Sequence, residues 1–375
     1  MKKFILILAF CISCAQTDDT INTPKNINYD VVNIHQTDYI PWSLEFINND
    51  TFIYTERRGK MFLVSNGVTT EILNVPDVYL KNQGGLLDIE LHPNFDQNKT
   101  LFFSYSKGNK EDGANTAVAS AKLINNSLEE IKVLYHGEEQ TKSSLHWGCR
   151  LQFDNYGYLY FAIGDRGNRN KNPQDITLDG GKVYRINEDG SIPSDNPFVN
   201  ENGAKTAVYS YGHRNPQGMF KHPETGKIWT NEHGPRGGDE INIIKDPETN
   251  DNPLNERNYG WPKATYGINY SGSEITKNKT LDGVTDPYYY WTPSIAPSGM
   301  VMIKSSEIYS DWNNTLLIGS LSFRYLERLE FDNSGIIMRE KLFPRIGRVR
   351  DVNLSPDGYV YISVEGEGIF KILPK

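Results

Sequence analysis

An all-β fold, a six-bladed β-propeller with long loops over the channel mouth, is predicted by three features of this 375-residue chain. One local motif recurs six times, its copies are far enough apart for a blade each, and long helical periodicity is missing. The motif is a turn rich in Asn, Asp, Pro or Gly that runs into a short β-branched and aromatic strand. Its copies are FINNDTFIYTE, HPNFDQNKTLFFSYS, FDNYGYLYFAIGD, HPETGKIWTNEHG, SDWNNTLLIGS and SPDGYVYISVEG. Each has hairpin turn chemistry leading into a largely buried strand, and six such units exceed one β-sandwich.

The hydrophobic fraction of 38% and aromatic fraction of 12% supply enough apolar material for a large core. A net charge of -8 without a basic run argues against a nucleic-acid partner and suits a small neutral substrate. The amino terminus, MKKFILILAFCISCAQTDD, sets Lys2 and Lys3 before an apolar run from Phe4 to Ile12 that is too short to span a bilayer. Residues 1–14 therefore read as an export signal, and Cys14 after Ser13 resembles a lipoprotein cleavage site, although Cys11 stands where Leu is commonest. Residues 15–28 read as a polar tether and 29–375 as the propeller. The protein is expected in the periplasm or at the cell surface, held to a membrane only through Cys14. With Cys11 removed and Cys14 acylated, Cys149 is the one free thiol and no intrachain disulfide can form.

A propeller gathers its ligand site from loops of several blades, so functional residues should be scattered along the chain beside these strands. The segment NEHGPRGGDEIN, Asn231 to Asn242, reads either as a Ca2+ loop of free carbonyls and carboxylates or as a solvated polar turn. Other candidates are Gln83 in NQGGLLDIELHP, His146 in SSLHWGCRLQFD, Asp165 in AIGDRGNRN, and Arg214 with Asn215 in SYGHRNPQGM. In GRVRDV, Arg348 and Arg350 stand two residues apart on one face of a strand, where a pair of guanidiniums makes an anion clamp.

From about Ile40 to Leu373 the chain resembles the soluble aldose sugar dehydrogenases that use pyrroloquinoline quinone (PQQ), in the glucose/sorbosone dehydrogenase family of six-bladed propellers. The resemblance rests on PWSLEF, NQGGLLDIELHP, HWGCRLQFD, IGDRGN, SYGHRNPQGM, NEHGPRGGDEIN, NYGWP, YWTPSIAPSGM and GRVRDV, all in the family's order. It implies that His146 is the general base that takes the proton of an aldose's anomeric hydroxyl while hydride passes to the quinone, with Asp165 orienting the ring. It also implies that Gln83, Arg214 and Asn215 hydrogen-bond the quinone oxygens. Arg348 and Arg350 would hold its carboxylates, and Tyr270 would line its pocket.

The same resemblance assigns the carbonyls of Gly234 and Pro235 to a Ca2+ that polarises the quinone. Asp239, Glu240 and the carbonyl of Tyr259 are assigned to a second, structural Ca2+. One departure stands out, because family members often carry a lysine where this chain has Ser322, with Arg324 two residues on as a possible replacement. A Ca2+-dependent lactonase and a non-catalytic sugar-binding propeller are the alternatives. The sugar, the electron acceptor, and the choice between monomer and homodimer stay open.

Overall fold

Hairpins come first, because their turn chemistry is local. In FDNYGYLYF the Asp154 carboxylate accepts from the amides of Tyr156 (2.8 Å) and Tyr158 (2.9 Å), and Gly157 takes φ +87° at the tip. The carboxylate closes the turn and glycine supplies the left-handed residue, so the chain reverses into Leu159–Ile163, all five residues of which are buried. In SPDGYVYIS, Gly358 again takes φ +87° and leads into the buried Val360–Val364.

In a computed structural model, residues 21–22, 28–138, 141–245, 255–332 and 335–375 are described. The expected export signal, Cys14 and most of the expected tether fall outside them. The described strands form six sheets, and in every sheet the recurring motif supplies the first turn and the second strand. The first blade comprises Pro41–Asn48, Thr51–Glu56, Lys60–Ser65 and Val68–Ile72. The second comprises Leu86–Leu91, Thr100–Asn109, Gly113–Ile124 and Ser127–His136. Leu151–Phe153, Leu159–Ile163, Lys182–Ile186 and Val208–Tyr211 build the third. Pro216–Lys221, Ile228–Glu232, Asp239–Ile243 and Tyr289–Trp291 build the fourth. The fifth runs through Pro297–Ile303, Thr315–Ser320, Tyr325–Asp332 and Gly335–Leu342. In the sixth, Val349–Leu354, Val360–Val364 and Gly368–Pro374 are completed on the outside by Tyr29–His35 from the other end of the chain.

Closing the ring covers the apolar sheet faces that a row of sheets would leave bare at its two ends. Apolar clusters sit between neighbouring blades all the way round. One joins Tyr29 and Val360 of the sixth blade to Trp312 and Leu317 of the fifth blade. Others lie between first and second, second and third, third and fourth, fourth and fifth, and sixth and first blades. Within the expected tether, Ile21–Asn22 pairs in parallel with Arg339 and Glu340 on the outer strand of the fifth blade. No helix among the described residues is long and apolar enough to cross a membrane.

Each first strand leaves the same face of the ring, which is also reached by the turns between second and third strands. These two sets of connections make the mouth. In the channel, Arg150 contacts Asp88 (2.9 Å) and Asp351 (2.7 Å) and lies 4.5 Å from the Trp42 ring. A buried guanidinium satisfied by two carboxylates plugs the channel below the mouth.

Candidate active site

Apart from Asp239, Glu240, Arg350 and two residues of one long connection, every expected site residue lies on a mouth connection. Gln83 precedes the second blade, His146 the third, Arg214 and Asn215 the fourth, and Arg348 the sixth, with Arg350 one residue into that strand. Asp165, Gly234, Pro235, Ser322 and Arg324 lie on turns between second and third strands. The long connection joins the third and fourth strands of the fourth blade, and its described residues 255–288 reach the mouth. There Ile268 bridges Arg236, and Tyr259 donates its amide to Tyr211 O (2.8 Å).

These loops enclose a cavity of about 520 Å3 lined by Gln83, His146, Arg214, Gly234, Pro235, Tyr270 and Ser322. A second of about 250 Å3, reaching down the channel, shares Gln83 and His233 and adds Asn215, Arg348, Arg350 and Glu365. A wider groove of about 850 Å3 along Ile243, Lys245, Val284 and Tyr288 holds none of the expected residues.

His146 takes φ +52°, and its amide donates to Gln83 Oε1 at 2.8 Å. Its Nδ1 is 2.6 Å from Asp165 Oδ1. A carboxylate only accepts, so Nδ1 carries the proton and Nε2 keeps a lone pair. Burial, reinforced by Arg214 and Arg166 and opposed by Asp165, holds the imidazole below its ordinary value of 6.5. Burial also works against the Asp165 carboxylate, but the bond from His146, with Arg214 and Trp261, brings it below the ordinary carboxylate range. The pair is therefore a neutral base on an ionised support at neutral pH.

Arg214 donates through Nη1 to the carbonyls of His233 (2.8 Å) and Gly234 (2.7 Å). The Asn215 side-chain oxygen accepts from Gly148 N at 3.2 Å. Arg348 and Arg350 do converge, but on Glu365: Arg348 Nε is 2.6 Å from Oε2 and Arg350 Nε is 2.9 Å from Oε1. Burial raises the cost of that carboxylate, yet the two guanidiniums hold it below its ordinary range.

The residues expected to bind metal divide between two places. Asp239 stands behind the Gly234 loop, accepting from Gly234 N (2.7 Å) and Ala296 N (2.7 Å), while burial pushes its carboxyl up to about 6. Glu240 turns into the fourth blade, directly opposite Glu232 on the neighbouring strand. Burial first, then Glu232, raises its carboxyl well above the ordinary value, and its one side-chain donor is Asn242 Nδ2 at 3.3 Å. Tyr259 is buried close by, its ring 4.6 Å from that of His213. Tyr270 lines the larger cavity but is 74% exposed. Ser322 reaches the cavity, whereas Arg324 lines neither cavity: it sits exposed at φ +59°, its carbonyl accepting from Arg345 N.

Sequence reasoning missed His233, Glu365 and Trp261. His233 lies between the cavities, donates to Pro297 O (2.8 Å), and is pushed down to about 3 by burial. Nothing in NEHGPRGG marks it, since its neighbours come from another blade. Trp261 stood in a quoted motif, NYGWP, without a role.

A sequence model of the Glucose / Sorbosone dehydrogenase family matches residues 38–371. The chain belongs to the glucose/sorbosone dehydrogenase family. It is 35% identical to the aldose sugar dehydrogenase YliI of Escherichia coli strain K12, over 100% of this chain and 99% of that one. It is 28% identical to quinoprotein glucose dehydrogenase B of Acinetobacter calcoaceticus, over 92% of this chain and 87% of that one. The crystal structure of the soluble aldose sugar dehydrogenase from Escherichia coli in its apo form matches with a TM-score of 0.86 at 35% identity, covering 92% and 100% of the two chains. Like other members of the glucose/sorbosone dehydrogenase family, the chain is an oxidoreductase built on a six-bladed ring.

The donor sets fit the groups expected of a quinone-using glucose/sorbosone dehydrogenase. Five arginines line the joined cavities, Arg57, Arg214, Arg236, Arg348 and Arg350, against one carboxylate among the described residues, Glu365, leaving an excess of positive charge for a polyanion. Glu232 and Glu240, two buried like charges directly opposite one another, are strained unless a proton or a cation joins them. Glu232 already accepts from the Arg214 and Asn215 amides and from Asn242, and lies 2.8 Å from His213 Nδ1, so Glu240 is the carboxylate left for a hard cation. Among the described residues no group of three or more His, Cys, Asp or Glu could hold a metal, so a cation would draw on main-chain carbonyls.

Proposed function

We propose that this oxidoreductase converts the anomeric hydroxyl of an aldose to a lactone, using PQQ and Ca2+ bound at the mouth. The observation that carries the reading is the 2.6 Å contact of His146 Nδ1 with Asp165 at the wall of a cavity that also presents Arg214. When bound, PQQ supplies a hydride acceptor and Ca2+ a Lewis acid. The chain's own residues do the rest. His146 Nε2 takes the hydroxyl proton, Asp165 holds the ring and steadies the imidazolium that forms, and Gln83, Arg214 and Asn215 donate to quinone oxygens. Arg348 and Arg350 bind carboxylate at the lower cavity, and Gly234 and Pro235 offer carbonyls to the cation. Asp239 fixes that loop from behind, while Glu240 with Tyr259 holds the structural ion.

Support comes from the aldose sugar dehydrogenase of Escherichia coli and the quinoprotein of Acinetobacter calcoaceticus that the chain resembles. A lactonase would need carboxylates free in the cavity to ligate a water-activating metal. The carboxylate lining it is Glu365, and two arginines already occupy that group. Titrating purified protein with PQQ and Ca2+ and recording absorbance on adding an aldose tests the reading: reduction of bound quinone is expected, and failure of PQQ to bind with Ca2+ present would end it.

The same reading places the protein outside the cytoplasm, exported and acylated at Cys14. Cys14→Ser is expected to release it from the membrane fraction, and a mature amino terminus beyond Cys14 in mass spectrometry would remove the lipid anchor.

A further inference from the structure

Asp165 can orient His146 only while its own carboxylate is prevented from rotating, and the two oxygens are held by different parts of the molecule. Oδ1 accepts from His146 Nδ1 (2.6 Å) and from Gly167 N (2.7 Å), both on the third blade's connections. Oδ2 accepts from the indole Nε1 of Trp261 at 2.8 Å, ninety-six positions away on the long connection of the fourth blade. Trp261 is itself fixed. It is 6% exposed, its amide donates to Gly212 O (2.8 Å), its carbonyl accepts from Gln174 Nε2 (2.8 Å), and the Arg214 guanidinium lies 5.4 Å from its ring.

We infer that Trp261 is a positioning residue for the base: its indole N–H locks the Asp165 carboxylate in the one rotation that presents Oδ1 to His146. A terminal carboxylate torsion is broad and nearly two-fold, so hydrogen bonds rather than rotamer wells set it. Asp165 is 1% exposed, and without the indole its Oδ2 would be a buried, unsatisfied charge that gains by turning toward another donor. A carboxylate that turned away would no longer hold the ring or support the imidazolium that forms on it. The groups facing His146 are Asp165 and Arg166 of the third blade, Arg214 before the fourth, and His233 within it.

This inference rests on His146 being the base, and its test separates the two. In Trp261→Phe the ring stays and the donor goes; replacement of Trp261 by benzothienylalanine, with sulfur in place of N–H, keeps the shape more closely if the phenyl variant folds poorly. Turnover is expected to fall about tenfold, the usual scale for losing a group that orients a reacting one, with sugar KM within about twofold. In protein without cofactor, the NMR titration of the His146 imidazole is expected to move to lower pH, because a carboxylate that has turned away no longer supports the imidazolium. In an Asp165→Asn background the Trp261 substitution should cost little more, because it acts through the missing carboxylate. An unmoved imidazole titration, or a loss that adds in full to that of Asp165→Asn, overturns the inference even if His146→Ala is inactive. Normal turnover in His146→Ala would instead remove the assignment of the base.

Discussion

At the scale of single residues, the proposed chemistry depends on a histidine kept neutral without being cut off. Burial holds His146 below 6.5, so the free base persists into mildly acid solution. The rate should therefore be flat near neutrality and fall only as pH drops below about 6.5, as the imidazole takes up its proton. The same depressed value means the unfolded chain binds more protons in that range, so stability also declines as pH falls below 6.5. His146→Ala is expected to lower turnover about a hundredfold or more while PQQ binding and melting temperature persist. The charge around Ser322 gives a second test. Because Arg324 lines neither cavity, Arg324→Ala should leave PQQ affinity unchanged, whereas Ser322→Lys should tighten it by adding a cation at the cavity wall. Equilibrium titration of the quinone decides between them. A sharp loss in Arg324→Ala would show that the turn rearranges on binding.

At the scale of elements, what could be read from the sequence was what is local. The hairpin of each blade was legible because Asp154 with Gly157 writes a turn within a few residues, and the buried strand follows at once. His146, Asp165 and Arg214 were legible through resemblance, and the loops bring them together. Illegible were the contacts whose partners lie far apart: Glu365 between Arg348 and Arg350, and Trp261 on Asp165, reached only because residues 255–288 of the fourth blade's long connection come up to the mouth. Nor could spacing show that Asp239 and Glu240, adjacent in sequence, face opposite sides of their strand. That alternation predicts separable effects. Chelation should lower the melting temperature of the wild type, since an ion bound only by the folded chain stabilises it. Glu240→Gln should abolish most of that dependence, and calorimetry with and without chelator will show whether it does. The turn before the third blade is equally constrained. Gly148 holds φ +68°, and a Cβ there would meet Gly164 N at 2.7 Å and Ala162 O at 2.8 Å. Gly148→Ala should cost about 1–3 kcal/mol in denaturant unfolding and disturb the adjoining base.

For the molecule as a whole, stability depends on the ring being closed by strands from both ends of the chain. Tyr29–His35 pairs with Gly368–Pro374, and Tyr29 sets its ring 4.2 Å from that of Trp312 in the neighbouring blade. A variant starting at Gln36 loses that ring contact and leaves Gly368–Pro374 as an open edge. It should melt at lower temperature and associate through the bared strand, which light scattering would register. Unchanged melting and a monodisperse monomer would mean the ring closes without it.

The closing blade also gives the molecule two poles. Tyr29–His35 runs toward the mouth and Gly368–Pro374 runs away from it, so Asn28 and Lys375, joined by a 2.9 Å bond from Lys375 N to Asn28 O, mark the far pole. Anything fused to the carboxyl end, or any support to which it is coupled, therefore leaves the reaction pole facing open solution. An enzyme immobilised through Lys375 should keep its sugar KM, while one coupled through a cysteine placed at Phe323, beside the cavity residue Ser322, should lose access to its substrate.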